Sequence, residues 1–442
     1  MALALLLALS ASQDPAIEKV ERLLGPLQRP LRWAPLSVEL HAASGAWSGD
    51  VVVRSGFGFA VARRVSLPAG ARERLVLPAL DPVSVEAGAS AFRVPRASAR
   101  AGRAVGIDAR LPYAADPPPA EDVHYVTIRA DDLGPLLAAG FLEALDLVLL
   151  SASPGAPPEG AQVAPAREDA ARAVEALARP AERIEAVDAA AWALAPEGGW
   201  VPAKRTTAVF FAAVYALAVF AALVTVARRG ARWAAGTLGG LVLLGAGAYL
   251  LLFPRGQLWI RESACELAPL AGEARVWRVW FAGAAAERSA AIEFPRVVKP
   301  VFPQSSGADE PFTIRVGEGA GCRVEGLRLA PGHAACFAAS ESRPPTMRAS
   351  EGIAVPLYRA SILVGNRNRE LGDLGPGDAL PSEVPEDGPA PLGPEVQAFR
   401  RFIVTDAVFG RLDREEGPAE GLSSPELADP RAGPRFYVGR IR

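Results

Sequence analysis

The sequence predicts a multidomain α+β membrane protein with an N-terminal β-sandwich, a small α/β domain, a two-helix transmembrane hairpin and a C-terminal β-rich domain. Three observations predict this fold class. Two long uncharged apolar runs stand close together, and short runs with period-two alternation lie on both sides of them. Strand-like and helix-like runs also alternate over residues 120–200. The 442 residues of the chain suffice for about three domains.

The two apolar runs, residues 206–227 and 233–253, carry no charged side chain. A bilayer has a hydrocarbon core about 30 Å thick, so roughly 20 helical residues cross it. The short loop at residues 228–232 holds three arginines, which favours a cytoplasmic position for that loop. Each run is therefore predicted to be a transmembrane helix. The predicted location is the cytoplasmic (inner) membrane, in a two-pass topology with both large portions exported.

Residues 1–12 resemble a secretory signal peptide, because a short apolar core is followed by small residues. A basic segment before that core is missing, and a hydrophobic N-terminal helix of a cytoplasmic domain is the alternative. In the second predicted transmembrane helix, Gly236 and Gly240 have the spacing that lets helix backbones approach closely. Two interpretations stay open for these glycines: packing of the two hairpin helices on each other, or homodimerisation.

The predicted β-sandwich covers residues 33–113. Alternation begins near residue 36, where Val38 and Leu40 are expected to face the core while Ser37 and His41 face solvent. Glycine, proline and aspartate separate the runs, as the turns of a sandwich require. The other strands predicted here are residues 51–54, 59–67, 74–77 and 83–86.

Residues 120–200 are predicted to form a reduced α/β domain. Residues 123–128 are a strand candidate, and 145–150 form a near-continuous apolar run, which is typical of a buried parallel strand. Helices are predicted at 133–144 and 166–177. Residues 257–442 are predicted to form the second β-rich domain, with a helical insertion near residues 395–412.

Few residues offer chemistry. The three histidines, His41, His124 and His333, fall in three different predicted parts, which argues against a histidine zinc site within one domain. Each is predicted to be an ordinary surface or turn histidine. The three cysteines, Cys265, Cys322 and Cys336, all follow the hairpin. A Cys322–Cys336 disulfide and three buried free thiols both remain open.

An acidic cluster at residues 366–378 contains Glu370, Asp373 and Asp378, together with two asparagines. Carboxylate and amide oxygens are calcium ligands, but this spacing matches no EF-hand loop. Turns between strands use the same residue types, so the cluster is predicted to be turn chemistry. The chain also lacks the usual nucleophile, phosphate-binding and metalloprotease motifs. No catalytic, cofactor-binding or metal-binding residue is therefore predicted.

Four short motifs carry a family resemblance. They are Asp-Leu-Val-Leu-Leu at residues 146–150, Glu-Gly-Gly-Trp at 197–200, Leu-Val-Gly-Asn at 363–366 and Leu-Gly-Asp-Leu-Gly-Pro-Gly at 371–377. On them the chain resembles uncharacterised bacterial envelope membrane proteins that combine β-sandwich domains with a reduced class I glutamine amidotransferase-like domain. The catalytic cysteine and histidine of amidotransferases have no counterparts here, so the resemblance implies a non-catalytic domain.

The expected function is that of a non-catalytic, membrane-anchored scaffold or binding protein of the bacterial cell envelope, facing the periplasm. Its expected partners are the lipid bilayer and either an envelope protein or a second copy bound through the second transmembrane helix. Nucleic acid is not expected, since the formal net charge is −2. Two alternatives stay open: an accessory subunit of an envelope transport or secretion complex, and a hydrolase whose site has no recognisable motif.

Overall fold

The computed structural model describes most of the chain outside residues 175–257. The described residues are 14–25, 33–95, 103–120, 123–138, 145, 147–151, 161–163, isolated residues between 167 and 240, and 258–441 except 269–273, 285–286, 302–310, 318–320, 331–333, 365–366, 382–405, 414–416 and 419–430. Within them the chain is mostly strand. One α-helix and one 3-10 turn have defined bounds there, and the isolated residues described between 167 and 240 are also helical.

Seven strands near the N-terminus form a two-layer β-sandwich. They are β1 (Ala16–Arg22), β2 (Leu36–His41), β3 (Trp47–Ser55), β4 (Phe59–Leu67), β5 (Arg72–Leu77), β6 (Pro82–Ala87) and β7 (Ser90–Arg93). One sheet has the order β1–β2–β5, and the other includes β4–β3–β6–β7. Alternate residues of β2 and β3, such as Val38, Leu40 and Val53, point between the layers and are buried.

The next elements form a small parallel α/β unit. They are β8 (Arg103–Asp108), β9 (Val123–Ile128), α1 (Ala130–Ala138), β10 (Leu147–Leu150) and β11 (Ala161–Val163). All neighbours run parallel, in the order β11–β10–β8–β9. Strand β8 is apolar on both faces, with Val105 and Ile107 fully buried, as parallel strands are. A Cβ at Gly106 would lie 2.6 Å from Leu145 Cδ1 and 2.9 Å from Ile128 Cδ1, so a larger residue there would displace both side chains.

Twelve strands follow the described helical residues near 214–240. They are β12 (Leu258–Ala268), β13 (Ala274–Ala284), β14 (Arg288–Phe294), β15 (Lys299–Pro300), β16 (Phe312–Val316), β17 (Cys322–Leu329), β18 (Ala334–Arg343), β19 (Leu357–Val364), β20 (Arg367–Leu374), β21 (Ala407–Arg411), β22 (Gly417–Pro418) and β23 (Arg431–Arg440). Nine of these form one sheet along β15–β18–β13–β12–β23–β21–β19–β20, with β22 paired to β23. A 3-10 turn, Ala349–Glu351, precedes β19.

The remaining three strands of the C-terminal part join the N-terminal sandwich. The order of the combined sheet is β14–β17–β16–β4–β3–β6–β7, and β16 pairs in parallel with β4. A chain of aromatic rings reinforces this junction. Phe59 stacks on Phe312 with ring centroids 5.6 Å apart, and Phe337, Phe294 and Trp280 continue the chain into the nine-stranded sheet. The N-terminal and C-terminal portions therefore share one hydrophobic core.

The predictions of a transmembrane hairpin, a two-pass topology and an inner-membrane location are corrected. In the part of the chain that the structure describes, no helix has the length and apolar character that a membrane crossing needs. A span needs one continuous helix of roughly 20 residues, because backbone polar groups must bond within it. Of residues 206–253, those described are helical at 214–216, 219–220, 223–224, 228 and 240. The rest, like residues 1–12, lie outside the described residues.

The predicted fold class is also wrong in its balance of helix and strand, since the described structure is dominated by β-sheet. Two local differences show why. The helix predicted near 395–412 is replaced at its end by β21, because β21 lies between β19 and β23 in the sheet and buries Val408 on one face and Phe409 on the other. Residues 103–108 fall within the expected sandwich at 33–113, but they form the central strand of the parallel sheet.

Candidate functional site

The two histidines that the structure describes lie in different surroundings. His41 ends β2, and its Nδ1 lies 3.0 Å from a carboxylate oxygen of Glu18. Arg72 donates to the same oxygen at 3.0 Å, so His41 belongs to a surface ion-pair cluster. His124 is the second residue of β9 and lines a cleft described below. His333 lies outside the described residues.

Two members of the acidic cluster bond to backbone N–H groups, Asp373 of β20 at an irregularity in β19 and Asp378 in the turn after β20. Asp373 accepts a hydrogen bond from the backbone N–H of Arg359 at 3.0 Å, and Asp378 accepts one from Gly375 at 2.6 Å. Arg359 has a positive φ of 52°, which the bond from Asp373 stabilises. Three or more potential metal ligands do not converge anywhere in the described part of the chain.

The three cysteines are buried. Cys322 lies on β17 and Cys336 on β18, which belong to different sheets. Cys322 Sγ donates to the backbone carbonyl of Arg296 at 3.2 Å and accepts from the Val298 N–H at 3.4 Å. Burial raises the pKa of Cys322 to about 12 and also raises the pKa of Cys265. These thiols are therefore protonated and shielded at neutral pH.

The carboxyl edge of the parallel sheet holds a buried carboxylate that the sequence analysis missed. In doubly wound sheets, ligands bind beyond this edge, where successive connections leave in opposite directions. Here β8 leads to β9 on one side of the sheet, and β10 leads to β11 on the other side. The point therefore lies between β8 and β10. Asp108 ends β8 at this point and is fully buried. The sequence does contain an indication of this site, because Asp108 directly follows an apolar run. That run falls within the predicted β-sandwich at residues 33–113, so Asp108 does not stand out there.

Every oxygen of Asp108 is engaged. The Ser151 hydroxyl donates at 2.6 Å from the end of β10, and the Arg110 guanidinium donates through Nη2 at 2.7 Å and Nε at 3.0 Å. Burial alone would raise the pKa of Asp108, but the bonds from Arg110 and Ser151 outweigh it and hold the pKa well below its usual range. The carboxylate therefore stays ionised and ties β8 to β10, which suits a structural role.

A second feature is an open cleft of 580 Å³ between the N-terminal sandwich and the α/β unit. Its two walls are the last residues of β1 and most of β9. Both are edge strands, each with one hydrogen-bonded neighbour in the described structure. The lining residues are Val20, Glu21, Arg22, Leu23, Gly25, Arg74, Val94, Pro95, His124, Tyr125, Val126, Thr127, Arg129 and Asp132.

The backbone of β9 presents polar groups to the cleft. The carbonyl of Ile128 accepts from Ala109 N–H at 2.9 Å, so residue 128 faces β8. The N–H and C=O of one strand residue point the same way and alternate along the strand. Tyr125 and Thr127 therefore direct their backbone N–H and C=O groups away from β8. On β1 the N–H of Leu23 bonds to Pro35 at 3.0 Å, so the backbone groups of Arg22 point away from β2 by the same rule. The carbonyl of Arg22 already accepts from the Gly25 N–H at 3.1 Å, which leaves its N–H on that side.

One ion pair connects the two sides of the cleft. The guanidinium of Arg74, on β5, lies 2.8 Å from a carboxylate oxygen of Asp132 in the first turn of α1. Arg74 Nε also donates to the Ser37 hydroxyl at 2.6 Å. Asp132 is only 3% exposed, so this pair joins the sandwich to the α/β unit. At the rim, the guanidinium of Arg129 lies 3.9 Å from Glu21.

Comparison with known proteins adds no family: no protein-family model matches this chain, and neither does any curated protein. The resemblance to envelope proteins with an amidotransferase-like domain stays a prediction. Three of its four motifs, at residues 146–150, 197–200 and 363–366, lie partly or wholly outside the described residues. The function is therefore argued from the described geometry.

Proposed function

We propose that this protein is a non-catalytic binding protein, a scaffold that recognises a partner through the cleft between β1 and β9. One observation carries the proposal: two edge strands face the same cleft with outward-directed backbone groups. An edge strand offers a row of unpaired donors and acceptors that another chain can use. Where an edge has no such use, proteins commonly shorten, charge or cover it.

The buried ionisable residues elsewhere support a scaffold, because they stabilise sheets. Glu262 and Glu341 flank Arg278, whose guanidinium bonds to them at 2.7 and 3.2 Å across neighbouring strands. Glu266 accepts from Arg343 at 2.6 Å and from the Thr346 hydroxyl at 2.7 Å. Such pairs fix strand register and crossing connections. Each of these carboxylates accepts from a protein donor, while Oε2 of Glu262 is buried without a hydrogen-bond partner among the described residues.

Site-specific photo-cross-linking tests the proposal. A benzophenone amino acid replaces Thr127 in the cleft of the full chain, and a matched variant carries it at Glu293, which is 54% exposed on β14 at the far edge of the seven-stranded sheet. The partner identified from the Thr127 adduct is then purified and titrated against the unmodified protein. We expect a discrete adduct from position 127 only and saturable one-to-one binding of the purified partner. Equal adducts from both positions, or no saturable binding, would overturn the proposal.

A further inference from the structure

We propose that the cleft binds an extended peptide segment bearing an acidic side chain, which pairs with the outer edge of β9 and places its carboxylate against Arg22. This deepens the proposed function and rests on it, since it names the chemistry of the partner. Strand addition to an exposed sheet edge is a general mode of peptide recognition, in which backbone bonds supply affinity and side-chain contacts supply selectivity.

The edge of β9 is suited to strand addition. Tyr125 and Thr127 direct their backbone groups into the cleft, two residues apart, which is the repeat that an added strand requires. Thr127 is exposed, whereas Val126 and Ile128 point into the core and hold the strand in place. On the other face, the Tyr125 hydroxyl donates to the carbonyl of Pro118 at 2.6 Å. The edge is therefore rigid before any partner arrives, which lowers the entropic cost of binding.

The volume of the cleft matches a short extended segment. Strands lie about 4.8 Å apart, rise about 3.3 Å per residue and occupy layers about 10 Å thick, so one residue fills roughly 160 Å³. The cleft of 580 Å³ thus holds about three to four extended residues.

Arg22 gives the cleft its preference for an acidic side chain. Its Nη2 donates to the carbonyl of Pro95 at 2.9 Å. Its Nε and Nη1 are buried and have no hydrogen-bond acceptor among the described residues. Burial lowers the pKa of Arg22, although the charge of Asp81 opposes that effect. A desolvated guanidinium with free donors gains most from a carboxylate, to which it forms charge-assisted hydrogen bonds once the side chain turns toward it.

The other cations of the cleft are less available. The guanidinium of Arg74 already bonds to Asp132 and Ser37 through all three of its nitrogens. Arg129 lies at the rim with its side chain 64% exposed, near the carboxylate of Glu21, so water screens its contribution. Selectivity for a carboxylate should therefore depend mainly on Arg22, while Arg129 assists association.

Fluorescence anisotropy with two peptide pools tests this inference on the full chain. One pool contains labelled hexapeptides with Glu at the third position and Val, Ile or Thr at the other five, and the matched pool has Gln instead of Glu. We expect the Glu pool to bind about 10-fold to 100-fold more tightly, as a charged hydrogen bond to a desolvated partner predicts. Arg22→Met retains the aliphatic stem and should remove the difference between pools, whereas Arg22→Lys should restore part of it.

A second pair of variants tests strand addition. Thr127→Pro removes a backbone N–H that faces the cleft without removing a bond to β8, and edge positions of this kind tolerate proline. We expect Thr127→Pro to weaken binding of the Glu pool at least 10-fold, as loss of a hydrogen bond at a close-packed edge predicts. Thr127→Ala keeps the N–H and should change binding less than twofold.

The outcomes separate the two proposals. Equal binding of the two pools to the unmodified protein overturns the carboxylate preference, and this comparison needs no variant. Equal effects of Thr127→Pro and Thr127→Ala overturn strand addition. If neither pool binds while a purified partner still titrates into the cleft, the peptide inference falls and the binding function stands. If the partner titration also fails, both fall.

Discussion

Phe312→Ala should destabilise the N-terminal and C-terminal portions of the protein together. Phe312 is 4% exposed, stacks on Phe59 of β4 and meets Phe337 of the nine-stranded sheet edge to face at 6.0 Å. Truncating a buried phenylalanine costs about 3–5 kcal/mol. Two aromatic contacts are lost as well, so we expect the upper half of that range, about 4–5 kcal/mol.

Hydrogen exchange followed by mass spectrometry, together with urea unfolding, measures this effect. Protection of backbone amides from exchange should fall in β3 and β4 of the N-terminal portion and, to a similar extent, in β16 and β17 of the C-terminal portion. The reason is that β4 and β16 are paired strands of one sheet. Phe57→Ala is the matched control. Phe57 is 42% exposed in the turn before β4, and its truncation should cost less than about 1 kcal/mol. Phe312→Leu should fall between the two and remains informative if the alanine variant does not fold. Loss of protection confined to β16 and β17 would refute the shared core.

Three further predictions concern single groups. Asp108→Asn should lower the free energy of unfolding by about 1–3 kcal/mol at pH 7. Because the pKa of Asp108 is depressed in the folded protein, this difference in stability is fully present above the unfolded pKa of about 3.9 and shrinks as pH falls below it. An undiminished difference in urea unfolding at pH 3 would contradict this prediction. A thiol-reactive dye at pH 8 should label none of the three cysteines in the native protein and all three in denaturant, since the thiols are buried; rapid native labelling would contradict the burial. A double-mutant cycle of Arg74→Met and Asp132→Asn should give a coupling energy of about 1–3 kcal/mol in urea unfolding, whereas additive single effects would mean that the pair does not join the sandwich to the α/β unit.

Several strands could be recognised from local pattern because their pattern and their burial agree. Residues 59–67 and 123–128 coincide with β4 and β9. In each case alternation or a continuous apolar run reflects which faces of the strand are buried. The burial of Val38 and Leu40 follows from the same period.

The candidate cleft could not be predicted from local pattern, because its walls come from distant segments. Arg22 and Thr127 are separated by 105 positions in the chain, and neither carries a motif. Ser37 was expected to face solvent, yet it is 1% exposed. Arg74 and Asp132 cover it from another strand and from α1, so burial there is decided by the neighbouring unit and not by the alternation of β2.

By itself, the sequence determined several strands, such as β4 and β9, and core-facing residues such as Val38 and Leu40, because the two-residue period of a strand is visible in neighbouring positions. The apolar runs at 206–253 show the limit of composition, since apolar length alone did not establish a membrane-spanning helix. Only the tertiary structure decided that β4 pairs with β16, that Asp108 ties β8 to β10, and that β1 and β9 share a cleft. Strand partners and cleft walls depend on contacts between residues far apart in the chain, and no local period encodes those contacts.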